Sequence, residues 1–247
     1  PCEPSAECAA MTLTDRLSLL TPLDLAAVAI AVGSWLVIGW WIERENTSRP
    51  SVSVMMIAYR RDWMVEFITR DPRIYDAQIL GGLRQGTSFF ASSCLIAIGG
   101  VLALAGNPER LAGVAQDLGQ MDHPTVIWQI KLVFVALFLT NAFLKFVWAN
   151  RLFGYTAVIM GAVPNDVTHA EAIPRARKAG LMNIRAAMNF NRGLRAIYFS
   201  LGAVAWLAGP IFLIGATFVV LYTLWEREFA SRPHKILKED AQNRGKD

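Results

Sequence analysis

Four stretches of this 247-residue chain are long and apolar enough to leave water, and they constrain the fold before any motif does. A hydrocarbon layer of about 30 Å takes roughly 20 mostly apolar residues of helix. Inside that layer the backbone polar groups have no water to bond, so a spanning segment must satisfy them itself, as a helix does. Leu23 to Ile42 reads "LDLAAVAIAVGSWLVIGWWI", and Thr87 to Ala105 is the second such run. Thr125 to Ala149 is the third, and it has the composition to continue as helix until Pro164. Ala196 to Trp225 is the fourth, with Gly209-Pro210 in its middle, where proline predicts a kink. The composition agrees: 18% of residues are charged, against about 25% in soluble domains. The expected fold is all-α, an integral membrane protein with four transmembrane helices in a single domain over residues 23–225, a head at 1–22 and a polar tail at 226–247.

Lys and Arg set the expected orientation. The segments 43–86 and 150–195 carry seven each, whereas 106–124 has only Arg110 and the first 22 residues have only Arg16. The positive-inside rule then places both long connections in the cytoplasm of a bacterial inner membrane and both termini in the periplasm. One fact conflicts with this topology: six cations follow Trp225, on what would be the outer side. Trp40, Trp41, Trp128 and Trp148 lie near span ends, where an aromatic belt is expected. The net charge of +4 falls in blocks between apolar runs, so it points to topology and anionic headgroups and excludes nucleic acid as the partner.

Both long connections read as amphipathic interfacial helices. In "SVSVMMIAYRRDWMVEFITR" the residues Met56, Tyr59, Trp63 and Phe67 recur at helical spacing, apart from Arg61, Asp62, Glu66 and Arg70. In "PRARKAGLMNIRAAMNFNRGLR" a basic stripe of Lys178, Arg185 and Arg192 runs beside Leu181, Ile184 and Met188. Such a stripe can hold anionic lipid at about 1 kcal/mol per cation, or acidic side chains of another subunit. Met11 opens a natural start, so residues 1–10 are expected to stem from an upstream start or from processing. With no signal-peptide pattern ahead of it, the first span is expected to be a retained anchor.

No redox, metal or nucleophile pattern emerges. A b-type cytochrome needs axial ligands at membrane depth, and His123, His169 and His234 all lie outside the spans. Ser88, Ser92, Ser93 and Ser200 have no histidine in sequence to activate them and no Gly-x-Ser-x-Gly elbow. The reading therefore names no cofactor, metal ligand or catalytic residue. Asp24, Lys131 and Lys145 are the ionisable groups within spans; Asp24 is expected at the interface, and both lysines are close enough to span ends to snorkel. Asn141 and Lys145, at i and i+4, form a possible polar seam. Arg84, Gln85, Thr87 and Ser88, with Asn189, Asn191, Arg192 and Arg195, precede membrane runs, where hydroxyls cap and cations anchor. Cys94 reads as a packing residue; Cys2 and Cys8 could pair only in an oxidising space.

These same residues carry a family resemblance. "YRRDWM" at Tyr59 to Met64, "DAQILGGLRQGTSFFASSCLIAIGG" at Asp76 to Gly100, "KFVWANRLFGYTAVIMGAVP" at Lys145 to Pro164 and "NFNRGLRAIYFSLGAVAWLAGP" at Asn189 to Pro210 resemble the uncharacterised membrane proteins called domain of unknown function 599. The resemblance extends from Met11 to about Arg232. It implies an architecture and supplies no catalytic residue.

The functional expectation is a non-catalytic accessory or scaffolding subunit of a larger inner-membrane complex, with a respiratory or photosynthetic assembly as the guess from membrane type. Its partners would be anionic headgroups and other membrane-protein subunits, met through Arg84, Gln85, Lys178, Arg185, Arg192 and Arg195. The alternative is a small transporter or ligand-binding protein in which Asn141, Lys145, Arg84 and Arg192 line a cavity facing the cytoplasm.

Overall fold

The computed structural model describes residues 20–45, 47–107, 113 and 125–244. Seven helices are described: α1 Pro22–Ile42, α2 Val52–Glu66, α3 Ile74–Ala105, α4 Thr125–Gly161, α5 Ala172–Val204, α6 Pro210–Trp225 and α7 Arg232–Arg244. No strand occurs among the described residues. The 1–10 segment, Cys2, Cys8 and His123 lie outside them. Four helical runs are long and apolar enough to cross a membrane: Pro22–Ile42, Ile74–Ala105, Thr125–Gly161 and Pro210–Glu239. The chain is thus an all-α, multi-pass membrane protein.

Helix starts follow local chemistry. At α1, Thr21 and Asp24 form a capping box and Pro22 occupies the first turn, where its missing N–H costs nothing. At α2, the Ser51 side chain accepts from the Val54 amide, while its hydroxyl donates to the Ile42 carbonyl at 2.7 Å. That second bond fastens the start of α2 to the end of α1.

Three helices exceed the bilayer. α4, at 37 residues, is about 55 Å long, some 25 Å more than the hydrocarbon layer. α3 begins at Ile74, thirteen residues before the expected span start at Thr87, and α5 runs unbroken from Ala172 into the bundle. Their extensions, with α2, form a stalk with its own apolar core of Met64, Phe67, Leu80, Phe153, Met160 and Ala176. Both long connections therefore hold the expected amphipathic helices, but neither lies flat in the interface. α2 runs antiparallel to α5 along the stalk: Asn191 bonds Ser53, Asn183 bonds Arg60, and Gly180 faces Met64.

The fourth expected span, Ala196 to Trp225, is corrected. It is no single kinked crossing but a helical hairpin. The end of α5 passes through a 3-10 turn, Ala205–Ala208, and reverses at Gly209, whose φ of 132° and ψ of 167° suit glycine alone. Pro210 then starts α6, which returns beside α5. A Cβ at Gly202 would sit 3.3 Å from Val220, and Arg227 donates to the Tyr198 hydroxyl. The physical reason lies at the junction: Gly209 turns the backbone off the helical path, and Pro210, with no N–H to donate to the preceding turn, starts a new helix.

The hairpin reverses the expected end of the chain. Ile38, Ile42, Val220 and Leu224 share one cluster, and Ala27, Ala31 and Leu213 another, so α1 and α6 run in the same direction. The start of α1 and the polar tail consequently lie at opposite ends of the bundle, not at the same end. Glu228 accepts from the Ser53 amide and hydroxyl at 3.0 and 2.9 Å, and His234 Nε2 is 3.2 Å from the Pro50 carbonyl oxygen. Every described Lys and Arg except Lys131 and Lys145 now falls in segments at this one end. The conflict posed by the basic tail disappears.

A Cβ at Gly193 would lie 2.8 Å from the Phe146 ring, which stacks with Phe90 at 5.4 Å. Gly193→Ala and Gly209→Ala should each destabilise by about 1–3 kcal/mol, through overpacking and backbone strain respectively. Gly99→Ala, where no neighbour lies within 4 Å, should not destabilise. Thermal unfolding in detergent checks the contrast; equal midpoints for all three variants would contradict the packing described.

Candidate functional site

At the tail end of the bundle, α1 and α5 meet at one carboxylate. Glu43 caps α1, and its position one residue beyond the apolar run delivers the acid to the membrane edge. Arg192 and Arg195, at i and i+3 on α5, face it together. Arg192 makes a two-pronged contact, with Nε donating to Oε1 at 2.8 Å and Nη2 to Oε2, while Arg195 Nη2 also donates to Oε1. The Arg195 side chain is only 7% exposed. Burial by itself would raise the Glu43 pKa. Hydrogen bonding and ion pairing with the two arginines outweigh it and hold the carboxyl below the usual glutamate range. Both oxygens are occupied, so Glu43 is a clamp and a poor proton acceptor.

Neutral polar groups continue the cluster. Asn191 Nδ2 donates to the Ser53 hydroxyl at 3.1 Å, and Ser53 in turn donates to Glu228. Farther along the stalk, Arg60 donates to the buried Asn183 amide oxygen. Asp76, fully buried at the start of α3, accepts from Trp63 Nε1 at 2.6 Å and from Arg70. These contacts join α1, α2, α3, α5 and the tail.

The expected interaction residues separate into two groups. Arg192 and Arg195 converge on Glu43, whereas Arg84, Gln85, Lys178 and Arg185 are exposed. Thr87 is buried and returns its hydroxyl to the Leu83 carbonyl. Ser88 accepts from Asn150, which levels the edge of α3 with α4. Asn141 and Lys145 are half-buried, one turn apart on α4. Arg84 faces a cavity between α3 and α4 that Arg192 does not line. Arg192 and Arg84 therefore do not share one cavity, as the alternative reading expected.

At the opposite end, two sequence expectations are corrected. Lys131 does not snorkel: it is 3% exposed, with its ammonium 5.3 Å from the Trp128 ring centre and 6.0 Å from that of Trp206. Trp128 is no belt residue but is buried at 1%. Asp24 is also buried, accepting from Trp206 Nε1 at 2.7 Å and from the Thr21 hydroxyl at 2.6 Å. Packing explains both corrections, because the tip of the hairpin covers this end of α1 and α4. The belt itself is present at the Glu43 end, where Trp40, Trp41, Trp148, Tyr222 and Trp225 are exposed.

Sequence reasoning missed Glu43, Asp76 and Glu228 as partners. The available signal for Glu43 was a lone acid closing an apolar run, with two arginines spaced i, i+3 before another. Glu43→Gln would leave the buried Arg195 without its carboxylate and should destabilise by about 3–5 kcal/mol. Glu43→Leu with Arg195→Met, which removes the carboxylate together with the buried guanidinium and leaves only the more exposed Arg192, should cost less than Glu43→Gln alone. Because the Glu43 pKa is lowered on folding, its contribution is present at neutral pH and is lost as pH falls through that lowered range. Thermal melts of these variants across pH check both statements.

Among the described residues no group of three or more His, Cys, Asp or Glu is placed to hold a metal ion. No curated protein and no solved structure matches the chain. A family model described as "Protein of unknown function, DUF599" matches residues 26–233. That match takes in the Glu43 clamp, the stalk, the hairpin and the start of α7, and the chain belongs to this family of uncharacterised proteins.

Proposed function

We propose that the protein is a non-catalytic scaffold of the bacterial inner membrane, an accessory subunit that holds a partner on its stalk. The supporting observation is one exposed stripe of α5. Ile173, Leu181 and Met182 stand in solvent there beside Arg177, Lys178 and Arg185, while the opposite face of alanines and Gly180 is buried. Exposed apolar side chains interspersed with cations suit an acidic, amphipathic surface of another protein.

Geometry favours protein over lipid as the occupant. α5 is continuous with a membrane arm, so its stripe runs along the stalk. Lys178 lies fourteen residues before Arg192, about 21 Å farther from the membrane edge, beyond the roughly 8 Å over which physiological salt screens headgroup charge. On this reading Arg84 and Gln85, closer to that edge, meet anionic headgroups. The concentration of cations at the Glu43 end supports a cytoplasmic location for that end, with the stalk and the C-terminal tail. The start of α1 then faces the periplasm.

Extraction from its native membrane into nanodiscs should return the protein with one partner in stoichiometric amount. Lys178→Glu with Arg185→Glu should reduce recovery of that partner at least tenfold while leaving the thermal midpoint of the purified chain unchanged. A protein recovered alone, or a partner retained equally by the variant, contradicts the reading.

A further inference from the structure

A trough of about 410 Å³ lies between α3 and α4 in the stalk, just beyond the membrane edge. That volume falls within the roughly 300–1,000 Å³ of small-molecule sites. Its floor is apolar: Phe67, Leu80, Ala157 and Met160 line it. Gly81 and Gly161 keep it open, since a Cβ at either would meet nothing within 4 Å. An arginine stands at each end. Arg73 and Arg84 are eleven residues apart, three helical turns, and so share one face of α3 about 16 Å apart.

The two cations are not equivalent. Arg73 is held by the protein: it donates to the Val163, Ile68 and Pro164 carbonyls at 3.0, 3.3 and 3.0 Å and lies 4.7 Å from the Phe67 ring centre. Arg84 is exposed, and no hydrogen bond or ion pair to it is found among the described residues. No carboxylate lines the trough. The acid closest along α3, Asp76, is engaged by Trp63 and Arg70. An apolar channel with an unpaired guanidinium at its membrane-side mouth and a second positive charge at its far end selects against cations and against wholly polar anions.

We propose that this trough binds an amphipathic anion, a carboxylate or phosphate carried on an apolar body, with the anionic group on Arg84 and the apolar body over Leu80, Ala157 and Met160. The site does not depend on the partner proposed for α5, which presents a different stripe on a different helix. An amphiphile of this kind reaches the trough from the water; an anionic lipid, whose tail stays in the leaflet, could meet Arg84 with its headgroup phosphate alone.

The test uses the whole protein in phosphatidylcholine nanodiscs, with octyl phosphate as probe and the thermal midpoint as readout. Octyl phosphate should stabilise the wild type in a saturable manner, and inorganic phosphate or octanol should need at least tenfold higher concentration. Arg84→Gln, at an exposed position, should weaken the apparent affinity at least tenfold. Gly81→Phe, which fills the trough and leaves Arg84 in place, should do the same. Absence of saturable stabilisation, or equal affinity in wild type and both variants, overturns the proposal. Replacing a third of the phosphatidylcholine with phosphatidylglycerol assigns the source. Weaker octyl phosphate binding means that anionic lipid competes from the leaflet; unchanged binding means that the ligand enters from water. Either result leaves the site standing.

Discussion

The clamp of Arg192 and Arg195 on Glu43 is the interaction on which the rest of the arrangement depends. It fixes the point where α5 enters the bundle, and the Trp206–Asp24 hydrogen bond fixes the point where that arm ends. With both ends of the arm attached to α1, the reversal at Gly209 follows, and α6 can only return toward Glu43. Charges at such a depth are costly unless paired. Here the pairing lets the polar start of the α5 arm pack among apolar neighbours. Gly193, Gly202 and the alanines of α5 then allow the close backbone approach on which helix association in a bilayer relies.

The stalk is the second consequence. Because α3, α4 and α5 continue through the membrane edge without a break, their extensions share the rigidity of the bundle. α2 is fastened across them by Ser51, Ser53 and Arg60. The family match runs through the stalk as well as the membrane helices. The features with recognition chemistry, the α5 stripe and the Arg84 trough, both lie on it. On the proposed function, the membrane part holds position and the stalk presents surfaces.

Much of this was legible in the sequence, for reasons that particular residues make plain. α1, the apolar part of α3, and α4 follow from run length, and the end of α4 three residues before Pro164 follows from proline chemistry. The early start of α3 was hidden because Asp76, Gln78, Arg84 and Gln85 lower the hydropathy of a helix that leaves the lipid. The hairpin was hidden because Gly-Pro marks both a kink and a reversal; the basic tail is the sequence feature that distinguishes the two. The site was less legible than the fold. Arg192 and Arg195 were singled out as anchors, but their partner Glu43 lies about 150 positions away, and no local spacing encodes such a contact. Lys131 illustrates the same limit, since whether it snorkels depends on Trp206 from another helix.

Cysteine labelling from the two sides of the membrane tests the hairpin most directly. In a chain with Cys2, Cys8 and Cys94 replaced by alanine, single cysteines at Ser48, Gly106 and Arg232 would be reacted with an impermeant maleimide in intact cells and in inverted vesicles. The account predicts that positions 48 and 232 label from one face and position 106 from the other. Labelling of position 232 together with position 106 would mean that residues 196–225 cross the membrane once, and the clamped hairpin would be wrong.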